Sequence, residues 1–217
     1  VKDEYVDKKI INENKIIILP SGSSIKKRFE FLNKKKFFKI GYFGSLYRSR
    51  GLDLISKLAK IDSKNQYYLY GDFNKINNFK LKNSIKNLNL KNYVPYKDVP
   101  KNLSKMDILL MPYVSSITAA GDVGDNTKFT SPLKLFDYLS VGKIILCSDF
   151  QVLKEVIDDK KNAIFITNYK NIFSWKNEIN KLSNQPQKQL IMSRNNYKLS
   201  KSYSLKERAK LILKSQK

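Results

Sequence analysis

Short apolar runs and helical stretches alternate along the whole of this chain, and that alternation constrains its fold more than any other feature. The runs are KIIIL at 15–19, KIGYF at 39–43, YYLY at 67–70, a segment at 92–94, ILLM at 108–111, IILC at 144–147 and AIFI at 163–166. Between them, apolar residues recur at helical spacing near 51–60, 76–88, 99–105, 132–141, 151–157, 170–182, 186–198 and 204–215. Strand-length runs separated by helices predict an α/β fold, with a central parallel sheet flanked by helices on both faces. No internal repeat or low-complexity block interrupts the pattern.

A length of 217 residues fits one large domain, or one domain and a linker, and 41% hydrophobic residues suffice for a core. The chain contains no histidine, which excludes Ser-His-Asp and Cys-His nucleophile systems and His-ligated zinc within it. Its chemistry must use carboxylates, lysines, arginines, hydroxyls or backbone groups. The lone Cys147 lies in a strand-like run, so a disulfide scaffold is excluded, and a buried, inert thiol in a reducing compartment is expected. The longest apolar stretches fall far short of the ~20 residues of a membrane span, and no signal peptide opens the chain. A cytoplasmic protein is expected, at most peripheral at the inner face of the plasma membrane.

With 42 Lys+Arg against 19 Asp+Glu, the formal charge is +23. One reading is a polyanionic partner, either nucleic acid or an anionic membrane surface. The other is genome composition, since Lys, Asn and Ile share A/T-rich codons. The basic residues are spread along the chain without an arginine-rich tail or an aromatic RNA-binding signature, which favours the compositional reading.

Residues 1–36 are polar and lysine-rich around one apolar run that ends in Pro20-Ser21-Gly22. They read as a linker and first strand arriving from a missing N-terminal domain, with the main domain at 37–217. The C-terminal helices, carrying Leu205, Ala209, Ile212 and Leu213, are expected to pack on the sheet or to bridge towards that missing domain.

Three segments could carry chemistry. Gly41 to Gly51 (GYFGSLYRSRG) follows a strand and precedes a helix, where a small-residue turn lets backbone N–H groups approach a phosphate. Arg48 and Arg50 would add charge-assisted hydrogen bonds; a plain glycine turn with solvated arginines is the alternative. In the second, Ser131 reads as an N-cap and Pro132 as the first helical residue. Lys134 and Asp137, three apart, share a helix face, either as a site that matches a diphosphate beside a ribose or as an ordinary exposed ion pair. The third is the long loop after Met111, whose Asp122 and Asp125 suggest a metal site but are more simply solvated, so no metal is assigned.

In order, these motifs resemble the C-terminal, donor-binding domain of family-4 glycosyltransferases, the retaining class with two facing Rossmann-like domains in the GT-B architecture. Pro20-Ser21-Gly22 resembles the family's linker PNG, and Gly44-Ser45-Leu46 with Arg50-Gly51 its G-x-L-x-x-x-K-G loop. Tyr70-Gly71-Asp72 resembles the VGDG turn, Val94-Pro95-Tyr96 with Val99-Pro100 the VPxxxVP segment, and Met106 to Pro112 the ADVFLLP strand. The most specific match is SPLKLFDYLSVGKIILCSDFQVLKEVI at 131–157, similar to the SPLKxFEY subgroup.

The resemblance implies a Rossmann-like half of a GT-B glycosyltransferase that binds a nucleotide-diphospho-sugar donor, with a bacterial surface glycan as the expected product. The donor is a substrate, and no cofactor or metal is implied. Arg50 takes the place of the family lysine on the diphosphate, and Lys134 supplies further positive charge, both as catalytic residues. Gly44 and Ser45 line the donor loop, Ser131, Pro132 and Leu133 cradle the phosphates, Asp137 holds the ribose hydroxyls, and the main chain from Val94 to Tyr96 meets the base. The chain departs from the family in three places: Ser45 replaces an arginine, Phe129 the first Glu of the Glu-x7-Glu pair, and Asp137 the second. The acceptor site, with its histidine, belongs to an N-terminal domain, so the resemblance implies donor binding without efficient transfer by this chain alone. A sugar-nucleotide epimerase domain and a basic nucleic-acid-binding module are the competing readings.

Overall fold

The structure, a computed structural model, describes residues 6–25, 37–46, 48–73, 85–114, 124–125, 127 and 130–215. Six strands form one sheet: β1 Lys39–Phe43, β2 Gln66–Tyr70, β3 Leu88–Lys91, β4 Ile108–Met111, β5 Ile144–Ser148 and β6 Ala163–Ile166. Their order is β3-β2-β1-β4-β5-β6, and every neighbouring pair is parallel. This is a doubly wound sheet, and the strand order reverses between β1 and β4, where such sheets open a crevice at the carboxyl ends of the strands.

The helices are α1 Leu52–Ile61, α2 Val99–Ser104, α3 Leu133–Ser140, α4 Gln151–Lys154, α5 Ile172–Ser183, α6 Pro186–Ser200 and α7 Leu205–Ser215. Side-chain alternation along the strands divides the core in two. Ile40, Ile108, Leu110, Ile144 and Leu146 face a layer built from α1 and α5, centred on Leu58, Trp175 and Ile179. Phe43, Leu109, Met111, Ile145 and Cys147 face the opposite layer, built from α2, α3 and α4. Because both faces are covered, β4 and β5 read as unbroken apolar runs rather than alternating ones. Cys147 is fully buried, as expected, and that burial pushes its thiol upward, which keeps it protonated.

Four sequence expectations shift. The run at 15–19 forms no strand; the segment joins the fold further on, where Ser23 bridges Ser204 and bonds Asp137. An apolar run becomes a strand only where a partner strand offers a ladder, and the described residues hold none beside it. The strand expected at 92–94 lies at 88–91, where the main chain pairs with β2. The helix expected over 76–88 falls largely outside the described residues, and its end is a turn, with Asn87 Nδ2 donating to the carbonyls of Ala59, Asp62 and Asn65. Finally, α7 buries none of its residues, leaving Leu205, Leu211 and Leu213 about half or more exposed, so of the two expectations for it packing on the sheet fails and bridging towards a further domain is the one left. Among the described residues, no helix is long and apolar enough to cross a membrane.

Candidate functional site

At the end of β1 the chain turns through Gly44, whose φ of 139° is open to glycine but strained for other residues. A Cβ there would come within 2.9 Å of Lys134 Nζ. Gly51, at φ 80°, lets this loop lie directly on the end of β4: a Cβ would meet the Pro112 carbonyl oxygen at 1.9 Å. The two glycines therefore bring the β1 loop against both the β4 end and the helix α3.

Helix α3 is anchored to the same strand end, because the Tyr138 hydroxyl accepts a hydrogen bond from the Phe43 N–H at 3.0 Å. Its start differs from the sequence expectation by one position. Pro132, with ψ 84°, is too extended to be the first helical residue and occupies the cap position instead; the helix begins at Leu133. Ser131 is thereby displaced from the cap, and Pro132, which takes that position, offers no side-chain cap bond to the first N–H groups of α3.

One turn into α3, Lys134 and Asp137 face the same space but do not pair with each other. Lys134 Nζ donates to the Tyr42 hydroxyl at 2.9 Å and stands 4.1 Å from the centroid of that ring. The Tyr42 hydroxyl in turn donates to the Ser45 carbonyl at 2.6 Å. Burial, followed by the nearby Arg50 charge, holds the Lys134 ammonium well below the ordinary lysine range. Asp137 Oδ1 accepts from the Ser23 hydroxyl at 2.6 Å and from the Tyr96 hydroxyl at 2.9 Å. Burial pushes its carboxyl upward, and these two hydroxyls oppose the shift.

Lys134, Asp137, Ser45 and Tyr96 line a cavity of about 410 Å³ at the carboxyl end of the sheet. Of the sequence-derived candidates, Gly44, Ser45, Val94, Tyr96, Lys134 and Asp137 meet there. Arg50, Ser131, Pro132 and Leu133 do not line it. Arg50 instead places its guanidinium 5.2 Å from the Tyr113 ring centroid, and its charge acts on Lys134. Leu133 is 64% exposed and Pro132 is buried, so these two flank the helix start without facing the cavity.

Sequence reasoning missed Ser23, Tyr42, Tyr93 and the stacked Phe43–Tyr70 pair, whose ring centroids lie 4.2 Å apart. Tyr42, Phe43 and Tyr70 stand inside the glycine-turn and Tyr70-Gly71-Asp72 motifs and Tyr93 beside the Val94–Tyr96 segment, whereas Ser23 carries no signal in the sequence. Among the described residues, no three His, Cys, Asp or Glu side chains form a group able to hold a metal ion, and the Asp122 part of the long loop lies outside those residues.

Residues 23–199 match the sequence profile of the family described as Glycosyl transferases group 1. The chain belongs to that family. Among curated protein sequences, none matches it. Solved structures resemble this glycosyl transferase domain in fold. Anabaena Alr3699/HepE in complex with UDP and glucose superimposes with a TM-score of 0.64 at 15% identity, over 83% of this chain and 48% of the other. S. aureus TarM, solved with Fondaparinux, alpha-GlcNAc-glycerol and UDP, gives 0.73 at 16% identity, over 99% and 41%. WaaG, a glycosyltransferase involved in lipopolysaccharide biosynthesis, gives 0.66 at 16% identity, over 90% and 55%. The group 1 glycosyl transferase domain thus spans about half the length of the solved chains it matches. Its six-stranded parallel sheet is the Rossmann-like half-domain of the GT-B architecture.

Proposed function

We propose that this domain binds the nucleoside-diphosphate-sugar donor of a retaining, family-4 glycosyltransferase of the SPLKxFEY subgroup, and that an N-terminal domain binds the acceptor. The observation that carries this reading is the placement of Lys134 and Asp137 in one cavity with separate partners, a cation and a carboxylate one helical turn apart. In this assignment the diphosphate lies against Lys134, Gly44 and Ser45, with the start of α3 at Ser131–Leu133 beside the cavity. The ribose hydroxyls meet Asp137, and the base lies along Val94–Tyr96, with the exposed Tyr93 beside it.

As the glycosidic bond to the donor breaks, negative charge grows on the leaving diphosphate. Lys134, the N–H groups at the start of α3 and the charge of Arg50 would stabilise it. These groups perform the reaction's electrostatic work without a resident cofactor or metal, the donor being a substrate. Lys134 is held ready by Tyr42, so its ammonium need not reorganise when the diphosphate arrives. The exposed, basic α7 and the +23 charge suit a peripheral position at an anionic membrane face, in the assembly of a surface glycan.

The test is a calorimetric titration of the chain with UDP, GDP, CDP, ADP and a short RNA, in EDTA, at two salt concentrations. Selective binding of one diphosphate supports the donor site and names the base. Binding of RNA alone, and only at low salt, overturns the reading and leaves a basic nucleic-acid-binding module.

A further inference from the structure

Asp137 is shorter by one methylene than the residue whose place it takes, and the structure holds it from outside its own helix. Ser23 is 3% exposed and fixed by its backbone: its N–H donates to the Tyr203 carbonyl at 3.0 Å, and its carbonyl accepts from the Leu205 N–H at 3.3 Å. Its hydroxyl accepts from the Ile25 N–H at 3.1 Å and donates its one proton to Asp137 Oδ1. Tyr96, from the 3-10 turn Tyr96–Asp98, donates to that same oxygen. Oδ2 accepts from no described residue. Two hydroxyls on one carboxylate oxygen fix the rotamer and leave the other oxygen as a ready acceptor.

We propose that Ser23 and Tyr96 are positioning residues for ligand hydroxyls: by occupying Oδ1 of Asp137 they aim Oδ2 at a vicinal diol, so the segment entering the domain sets its preference for ribose. This rests on the donor-site reading above. The bonds carry a second consequence. Hydrogen bonds to a carboxylate favour its charged form, so the two hydroxyls oppose the upward push of burial on Asp137. The surrounding groups are few. Tyr138 is the titratable neighbour on α3, Ser23 faces it from the entering segment, Tyr96 faces it from the 3-10 turn with Ser24 bonded to the Tyr96 hydroxyl, and Lys134 is tied to Tyr42.

The experiment titrates wild type, Ser23→Ala, Tyr96→Phe and Ser23→Thr with UDP, GDP, CDP and ADP, and with the dideoxy counterpart of each, between acid and neutral pH. Wild type is expected to favour the ribose form. Ser23→Ala and Tyr96→Phe should each reduce that preference by about 3- to 10-fold, the scale of one hydrogen bond. They should also shift the acid loss of the preference to higher pH, because Asp137 then protonates more easily, whereas Ser23→Thr, which keeps the hydroxyl, should retain both. A purely structural role would weaken ribose and dideoxy forms equally and leave the pH midpoint in place, and that result overturns the proposal. A wild type that prefers ribose, with variants unchanged in preference and midpoint, overturns the proposal while leaving the donor site intact. A wild type that binds none of the eight nucleotides overturns both.

Discussion

Lys134 Nζ lies 2.9 Å from the hydroxyl of Tyr42, a residue 92 positions earlier in the chain, on the strand that ends at the glycine turn. That bond joins the helix start and the strand loop into one surface, and it keeps a half-buried ammonium pointed at the cavity. Lys134→Met should lower nucleoside-diphosphate affinity by about 2–3 kcal/mol, the scale of a charged hydrogen bond. The unliganded variant should melt no lower than wild type, because removing a poorly solvated charge relieves its desolvation. Calorimetry and thermal unfolding on the same samples check this; a fall in stability matching the fall in affinity would make Lys134 a structural residue.

The same depression of Lys134 gives a pH signature. In the free protein, burial and Arg50 favour the neutral amine; a bound diphosphate favours the ammonium. Binding should therefore take up protons between the free and bound pKa values, and affinity should fall as pH rises through that window. Titrations in buffers of different ionisation enthalpy measure the uptake directly. A binding enthalpy independent of buffer on the alkaline side contradicts it.

Arg50 does not line the cavity; it sits over the Tyr113 ring, and its charge reaches Lys134. Its replacement by alanine should weaken diphosphate binding by about 1 kcal/mol or less, as for a partly screened charge without a direct hydrogen bond. Since Arg50 also opposes protonation of Lys134, the alkaline loss of affinity in Arg50→Ala should move to higher pH. An affinity loss as large as that of Lys134→Met would instead indicate direct contact with the phosphates.

Gly51→Ala tests the close approach of the β1 loop to the end of β4. An alanine would have to adopt φ 80° and place its Cβ against the backbone oxygen of Pro112. A destabilisation of about 2 kcal/mol or more in urea unfolding is expected from strain and displacement combined. Wild-type stability would show that the two loops separate freely.

Much of this fold is legible in the primary structure, because its determinants are local. Five of the six strands, β1, β2, β4, β5 and β6, lie where short apolar runs stand between helical stretches, and α1, α2, α3, α5, α6 and α7 follow apolar spacing. The glycine turn and the Lys134–Asp137 helix face are likewise local: two glycines, and a spacing of three. β3 resisted because LNLK at an edge carries little hydrophobic signal, and its position is set by pairing with β2. The run at 15–19 misled for the converse reason, since β-propensity without a partner strand makes no ladder.

The electrostatic arrangement of the site was decided by tertiary structure. On spacing alone, Lys134 and Asp137 could have formed an exposed ion pair with each other. The fold instead gives the lysine to Tyr42 and the aspartate to Ser23 and Tyr96, 114 and 41 residues away. Those partners are brought near by the parallel crossovers and by the entering segment's bridge to Ser204. Local pattern placed the two charged groups on one face; long-range packing, which no periodicity encodes, separated them, partly buried them and turned both into the cavity.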